Sequence, residues 1–255
     1  MNLELVNERR NNSIYTDGNN TYKIFNKNYK KTDVFLESFI TSMVETTGIN
    51  APSIEEVSVM DGKWYFKSSI IKGTTLFSMI QSDPDNADKY LDKMIEIQTS
   101  IHKNRLDKLP FQKEKFADYI KFSNLDKNLK IDLIDMLNTC PRHRKLCHGN
   151  LTPHNIIINE GEACVLDWNH ASQGNASADV ARTYLWMKIN MPDLAESYLD
   201  KFCEATSTSK RYVQNWIPIV AAARIAKNNP EEIKILINNK EVSGTIEAKV
   251  NEKID

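Results

Sequence analysis

Neither G-x-x-x-x-G-K-[ST] nor G-x-G-x-x-G occurs anywhere in the 255 residues, which removes P-loop and Rossmann readings. No charge of one sign dominates. Lys and Arg number 33 against 34 Asp and Glu, a net charge of −1, so a protein that grips polyanions through counterion release is disfavoured and no nucleic-acid partner is expected. No apolar run reaches 18 residues; the richest window, Trp216 to Ala226, holds Pro218 and Arg224, and no membrane association is expected. Met1-Asn2-Leu3-Glu4-Leu5 reaches polar residues before any apolar stretch, so no secretory signal is expected either. The four cysteines (Cys140, Cys147, Cys164, Cys203) form no C-x-x-C pair and read as reduced thiols in a cytoplasm. His148, His154 and His170 with Cys147 and Cys164 lack the spacing of a zinc finger or of H-E-x-x-H.

What is present is the composition of a folded protein, 41% hydrophobic with 9% aromatic residues, long enough for one large domain or two lobes. The first seventy residues predict strands around one helix. Leu3–Asn7, Asn12–Thr16 and Thr21–Phe25 are short β-type segments, with Asp17-Gly18-Asn19-Asn20 as a hairpin signal. A helix is expected from about Thr32 to Thr46, with Val34, Leu36, Phe39, Ile40 and Met43 as its apolar stripe and Gly48 as its stop. Ile54–Met60 and Lys63–Ile71 flank a second turn at Asp61-Gly62. Beyond Gly73 the pattern turns helical: a helix opened by Asp83-Pro84, then stripes at 114–122, 128–138, 178–189, 193–206, 209–227 (kinked at Pro218) and 230–238. Asn155–Asn159 and Ala163–Leu166, around Glu160-Gly161, interrupt it as a strand pair.

That strand pair carries the first chemical signal. If it is a hairpin centred on Gly161, Asn155 and Asp167 stand opposite each other at its open end, roughly 5 Å apart, close enough to share one hard cation. On spacing alone, an ordinary surface hairpin that happens to end in Asn and Asp is the preferred reading.

The surrounding run reads Cys147-His148-Gly149-Asn150-Leu151-Thr152-Pro153-His154-Asn155, then strand, turn, strand and Leu166-Asp167-Trp168. It resembles the H-G-D-x-x-x-x-N and I-D-W elements of the aminoglycoside phosphotransferase and choline kinase family. Gly174-Asn175-Ala176-Ser177-Ala178-Asp179-Val180-Ala181-Arg182 is similar to that family's G-D-P-x-x-D-L-A segment. The resemblance implies an α+β, protein-kinase-like two-lobed fold: an N-terminal nucleotide-binding lobe over 1–72 with a small antiparallel sheet, and a mainly helical C-terminal lobe over 73–255 with the catalytic loop and acceptor site. It implies Lys23 and Glu37 as the nucleotide-positioning pair, Asn155 and Asp167 as Mg²⁺ ligands, and a hinge near Ser68 to Lys72 whose Ser69 and Ile71 offer backbone groups to adenine. The implied activity is transfer of the γ-phosphoryl group of ATP, or GTP, to a hydroxyl of a small aminoglycoside- or choline-like molecule.

Two departures qualify it. The family has Asp where this chain has Asn150, and a carboxamide orients a hydroxyl but takes no proton from it. Asn150 and His148 are therefore the catalytic-loop candidates of a slow enzyme, with His148 supporting the loop backbone, or of a relative that binds nucleotide or small molecule without transfer. The second departure is the cover: residues 6–16 hold no glycine, although a phosphate-hugging turn is easiest with one. Arg9 or Arg10 is expected to reach phosphate instead. His154 is read as loop decoration, with a lesser possibility of a substitute base.

Overall fold

A computed structural model describes residues 3–225 of the chain. In order, the elements are β1 (Glu4–Glu8), β2 (Asn12–Thr16), β3 (Asn20–Phe25), α1 (Lys31–Glu45), β4 (Ile54–Met60), β5 (Lys63–Ser69), β6 (Thr74–Thr75), α2 (Leu76–Ser82), α3 (Ala87–His102), α4 (Gln112–Phe122), α5 (Lys127–Thr139), β7 (Lys145–Cys147), β8 (Ile156–Asn159), β9 (Glu162–Val165), β10 (Ser172–Gly174), α6 (Ala176–Asn190), α7 (Pro192–Thr206), α8 (Lys210–Gln214) and α9 (Ile217–Ile225). Short 3₁₀ turns occupy Pro84–Asn86, Pro153–Asn155 and Trp168–His170. Among the described residues no helix is long and apolar enough to cross a membrane. The expected helix over 230–238 lies outside them.

The chain divides into two compact units, 1–84 with 152–171, and 85–151 with the chain from 172 onward. The boundary expected after residue 72 separates them differently. β6 pairs with β8, which pairs with β9, giving a small sheet in the order β6-β8-β9, so backbone hydrogen bonding carries the 156–165 hairpin into the first unit. Gly73, just ahead of β6, has φ +132°, and a Cβ there would overlap the Ile158 carbonyl. Only glycine fits that approach.

The first unit's main sheet is antiparallel in the order β1-β2-β3-β5-β4. The β2–β3 turn forms because the Asp17 carboxylate accepts the N–H groups of Asn19 (2.9 Å) and Asn20 (2.7 Å), with Gly18 at φ +91°. On β3, residues alternate across the sheet, so Lys23 and Phe25 share a face. Helix α1 contributes Val34, Glu37, Ile40, Thr41 and Val44 to the interior. This corrects the apolar stripe inferred from sequence: Leu36 (48% exposed) and Phe39 (42%) face outward, while Glu37 is 4% exposed. Apolar residues lie on several sides of this helix, and the buried side is the one whose carboxylate meets the Lys23 ammonium.

The second unit is built on α3, α6, α7 and α9. Leu91, Met94 and Ile101 of α3 and Tyr198, Leu199 and Phe202 of α7 are buried, and α6 is buried along most of its length. β7 and β10 pair antiparallel, with Ser172 opposite Cys147; neither strand nor α2 is evident from residue pattern, because they are three to seven residues long. The helix expected over 209–227 is two helices. The chain breaks at Asn215–Trp216, and Pro218 occupies the second position of α9, where its missing N–H costs no hydrogen bond.

Candidate active site

Four charged side chains of the first unit meet in one place. The Lys23 ammonium is buried, bonded to Glu37 Oε1 and 3.2 Å from Asp167 Oδ1. Arg9 Nη1 is 3.1 Å from Asp167 Oδ2. They line a cavity of about 270 Å³ with Phe66, Ser68 and His154. Burial works against the Lys23 charge, but Asp167 and Glu37 outweigh it and hold its pKa above the ordinary lysine value. Burial likewise opposes the Asp167 charge and is overcome by Lys23, Arg9 and His170, which keep that carboxyl well below the usual range. Burial raises the Glu37 pKa, and the Lys23 ammonium offsets that rise only in part.

Asp167 reaches this cluster through an unusual backbone. Its φ of 65° and ψ of 55° are left-handed, a conformation uncommon for a non-glycine residue, and the 3₁₀ turn Trp168–His170 follows at once. The expected register is corrected here. Ile156 pairs with Val165 and Asn159 with Glu162, so the turn is Glu160-Gly161 rather than Gly161 alone. Asn155 accepts the Leu166 N–H at 2.8 Å and stands opposite Leu166, not Asp167. The loop Asp167 enters is offset by one residue, and its αL turn, not the ladder, aims the carboxylate. Asn155 is buried at the end of its own 3₁₀ turn. The Asp167 carboxylate is a hard donor of the kind Mg²⁺ prefers, and Lys23 with Arg9 are cations suited to phosphate oxygens; these three line the cavity, and Asn155 is not among its lining residues.

The two hinge candidates lie elsewhere. The Ser69 N–H donates to the Ser53 carbonyl (3.2 Å) and its hydroxyl accepts the Ser53 N–H (3.2 Å). Ile71 lines a separate recess of about 430 Å³ with Asn50, Ile157 and Cys164. His154 is more than decoration: its ring stacks on Phe77 at 3.9 Å between centroids, and burial together with Arg9 lowers its pKa.

In the second unit, Asp179 organises the loop that carries Asn150. Its carboxylate accepts the N–H groups of His148 (3.1 Å) and Gly149 (2.6 Å) and pairs with His102 Nε2 (3.0 Å). Burial opposes its charge, yet His102 and the loop amides keep its pKa depressed. His148 is fully buried and its Nδ1 accepts the Asn150 N–H at 3.2 Å, which places the ring proton on Nε2. The Asn150 side chain is oriented by a residue to which the sequence reading gave no role: Arg182 Nη2 donates to Asn150 Oδ1 at 2.7 Å. Arg182 Nη1 is buried without a partner, and burial lowers the guanidinium pKa to about 10. No motif marks Arg182; one turn of α6 beyond Asp179 is the signal that would find it, since residues three apart share a helix face.

A family model described as a phosphotransferase enzyme family matches residues 68–212. No curated protein sequence matches the chain. Among solved structures, a thermostable mutant of the aminoglycoside phosphotransferase APH(4)-Ia, in ternary complex with ADP and hygromycin B, aligns with a TM-score of 0.69 at 13% identity, over 98% of this chain and 93% of that one. A choline/ethanolamine kinase family protein from Mesorhizobium loti aligns at 0.63 and 14% identity, over 98% and 92%. An amicoumacin kinase, hAmiN, in complex with AMP-PNP, Ca²⁺ and Ami aligns at 0.61 and 12% identity, over 95% and 88%. The fold is that of the protein-kinase-like phosphotransferases.

Proposed function

Because this chain belongs to the phosphotransferase enzyme family, we propose that it transfers the γ-phosphoryl group of MgATP to a hydroxyl of a small molecule, with an aminoglycoside- or choline-like acceptor. The observation that carries this reading is the buried Lys23–Glu37 pair set against Asp167. A structural ion pair needs two members; here Lys23, Glu37, Asp167 and Arg9 gather beside a cavity, which suits a ligand that brings its own charges. Lys23 neutralises phosphate oxygens and Glu37 holds its ammonium in place. Asp167 and Asn155 are the metal ligands of this proposal. When bound, Mg²⁺ offsets charge on the phosphates. Asn150 orients the acceptor hydroxyl, and His148 and Asp179 fix the loop that presents it. The proposed locale is the cytoplasm.

Phosphoryl transfer passes through a loose transition state in which positioning and electrostatics dominate, so a loop without a base still permits turnover. A second reading is favoured by one observation. Asn150 Oδ1 already accepts from Arg182, which suits a protein that binds nucleotide or small molecule with transfer impaired. Thermal shift with MgATP and MgGTP tests binding, since a ligand stabilises by RT ln(1 + [L]/Kd). No shift with either overturns both readings. A shift with ADP release on a panel of hydroxyl acceptors supports the enzyme; a shift without ADP release supports the binding protein.

A further inference from the structure

The glycine-free turn between β1 and β2 is tied down on its backbone side. The Arg9 N–H donates to the Asn12 carbonyl at 2.9 Å. Asn26, at the end of β3, donates its side-chain amide to the Arg10 carbonyl (2.9 Å) and its N–H to the Asn11 carbonyl (3.0 Å). With its Arg9 N–H spent on Asn12 and no glycine to bring the backbone close, the turn offers fewer amides to a phosphate than a glycine-rich turn does. Contact with an anion passes to side chains, and of the two arginines there only Arg9 borders the cavity of Lys23 and Asp167.

Charge count in that cavity points the same way. The Lys23 ammonium already faces two carboxylates, Glu37 and Asp167, so a further cation is needed for a polyphosphate. Arg9 offers five N–H donors in a planar fork suited to paired phosphate oxygens, and its side chain is 37% exposed. Each oxygen of Asp167 has its own cation, Lys23 on Oδ1 and Arg9 on Oδ2. A divalent cation on Oδ2 would sit beside the Arg9 guanidinium, and the repulsion of like charges sets the two against each other there.

We propose that Arg9 is the phosphate-binding residue that stands in for a glycine-rich cover, and that Asp167 holds it in reserve, so that a divalent cation and Arg9 compete for Asp167 while metal and polyphosphate favour each other. This rests on the nucleotide reading above. The two effects of removing Arg9 therefore have opposite signs, which a merely structural arginine would not give.

The test is titration of the wild-type chain and Arg9→Gln with three probes: Mn²⁺ alone, followed by electron paramagnetic resonance, and AMP-PNP with Mg²⁺ and AMP, followed by calorimetry. Arg9→Gln is expected to bind Mn²⁺ severalfold tighter, AMP-PNP with Mg²⁺ on the order of tenfold weaker, as loss of a hydrogen bond to a charged group implies, and AMP unchanged. Arg9→Lys should recover part of the AMP-PNP affinity, and Arg10→Gln should match wild type. Weaker binding of all three probes, or unchanged binding of AMP-PNP, overturns the role of Arg9 and leaves the nucleotide reading standing. Wild-type protein that binds neither nucleotide overturns that reading, and this one with it.

Discussion

Asp179→Asn tests whether one buried carboxylate holds the Asn150 loop. The native side chain accepts three hydrogen bonds, from His148 N, Gly149 N and His102 Nε2. A carboxamide of the same shape has a single acceptor oxygen. If that oxygen serves His148 and His102, the Gly149 N–H faces an NH₂ group and is stranded, at a cost of about 1–3 kcal/mol. The two remaining bonds fall from charge-assisted to neutral, and the total reaches about 3 kcal/mol or more, in the range for a broken buried charge pair. For a chain of this size each kcal/mol moves Tm by about 2–4 °C, so thermal denaturation followed by circular dichroism should show a loss of about 6–12 °C. The pH dependence has a defined sign. The folded state depresses the Asp179 pKa, so its contribution is complete above the ordinary value of 3.8 and is lost as pH falls through the lower folded value. The gap between wild type and variant should stay flat from pH 8 to about pH 5 and close only in stronger acid. A Tm loss under about 2 °C would refute the hub, and a gap closing between pH 7 and 5 would assign the titration to another group.

Asn150→Asp supplies the missing carboxylate beside Arg182, where pairing weakens its basicity. Its gain in ADP release should fall short of the roughly 10²–10⁴ a free general base provides, and Asn150→Asp with Arg182→Gln should exceed it; equal rates for the two would show that Arg182 does not restrain the base. Gly73→Ala should destabilise by about 1–3 kcal/mol, because its backbone is left-handed and its Cβ would meet Ile158 and Ile157, whereas Gly18→Ala, with φ +91° but open space around it, should cost less by denaturant titration; equal midpoints would refute the steric argument.

The antiparallel sheet, α1 and most of the later helices were legible because each follows from local rules: β-branched segments bounded by Asp17-Gly18 and Asp61-Gly62, and apolar periods beyond Gly73. The H-G-N run and Leu166-Asp167-Trp168 were legible through their resemblance to the phosphotransferase motifs, since spacing alone favoured an ordinary hairpin. α2, β6, β7 and β10 were not, since segments so short take their conformation from strand partners far along the chain.

By itself the sequence determined which ionisable groups exist, that Asn150 has no basicity and that the cover turn has no glycine. Tertiary structure alone decided which of those groups face one another. Glu37 sits on a helix with apolar residues on several sides, and only packing against β3 turned it inward. Asp167 is aimed by a left-handed backbone that no residue preference requires, and Arg9 and Arg182 acquire their meaning from carboxylate and carboxamide oxygens 158 and 32 residues away. Local propensity acts over a few residues, whereas a charge inside a protein finds its partner through the fold of the whole chain.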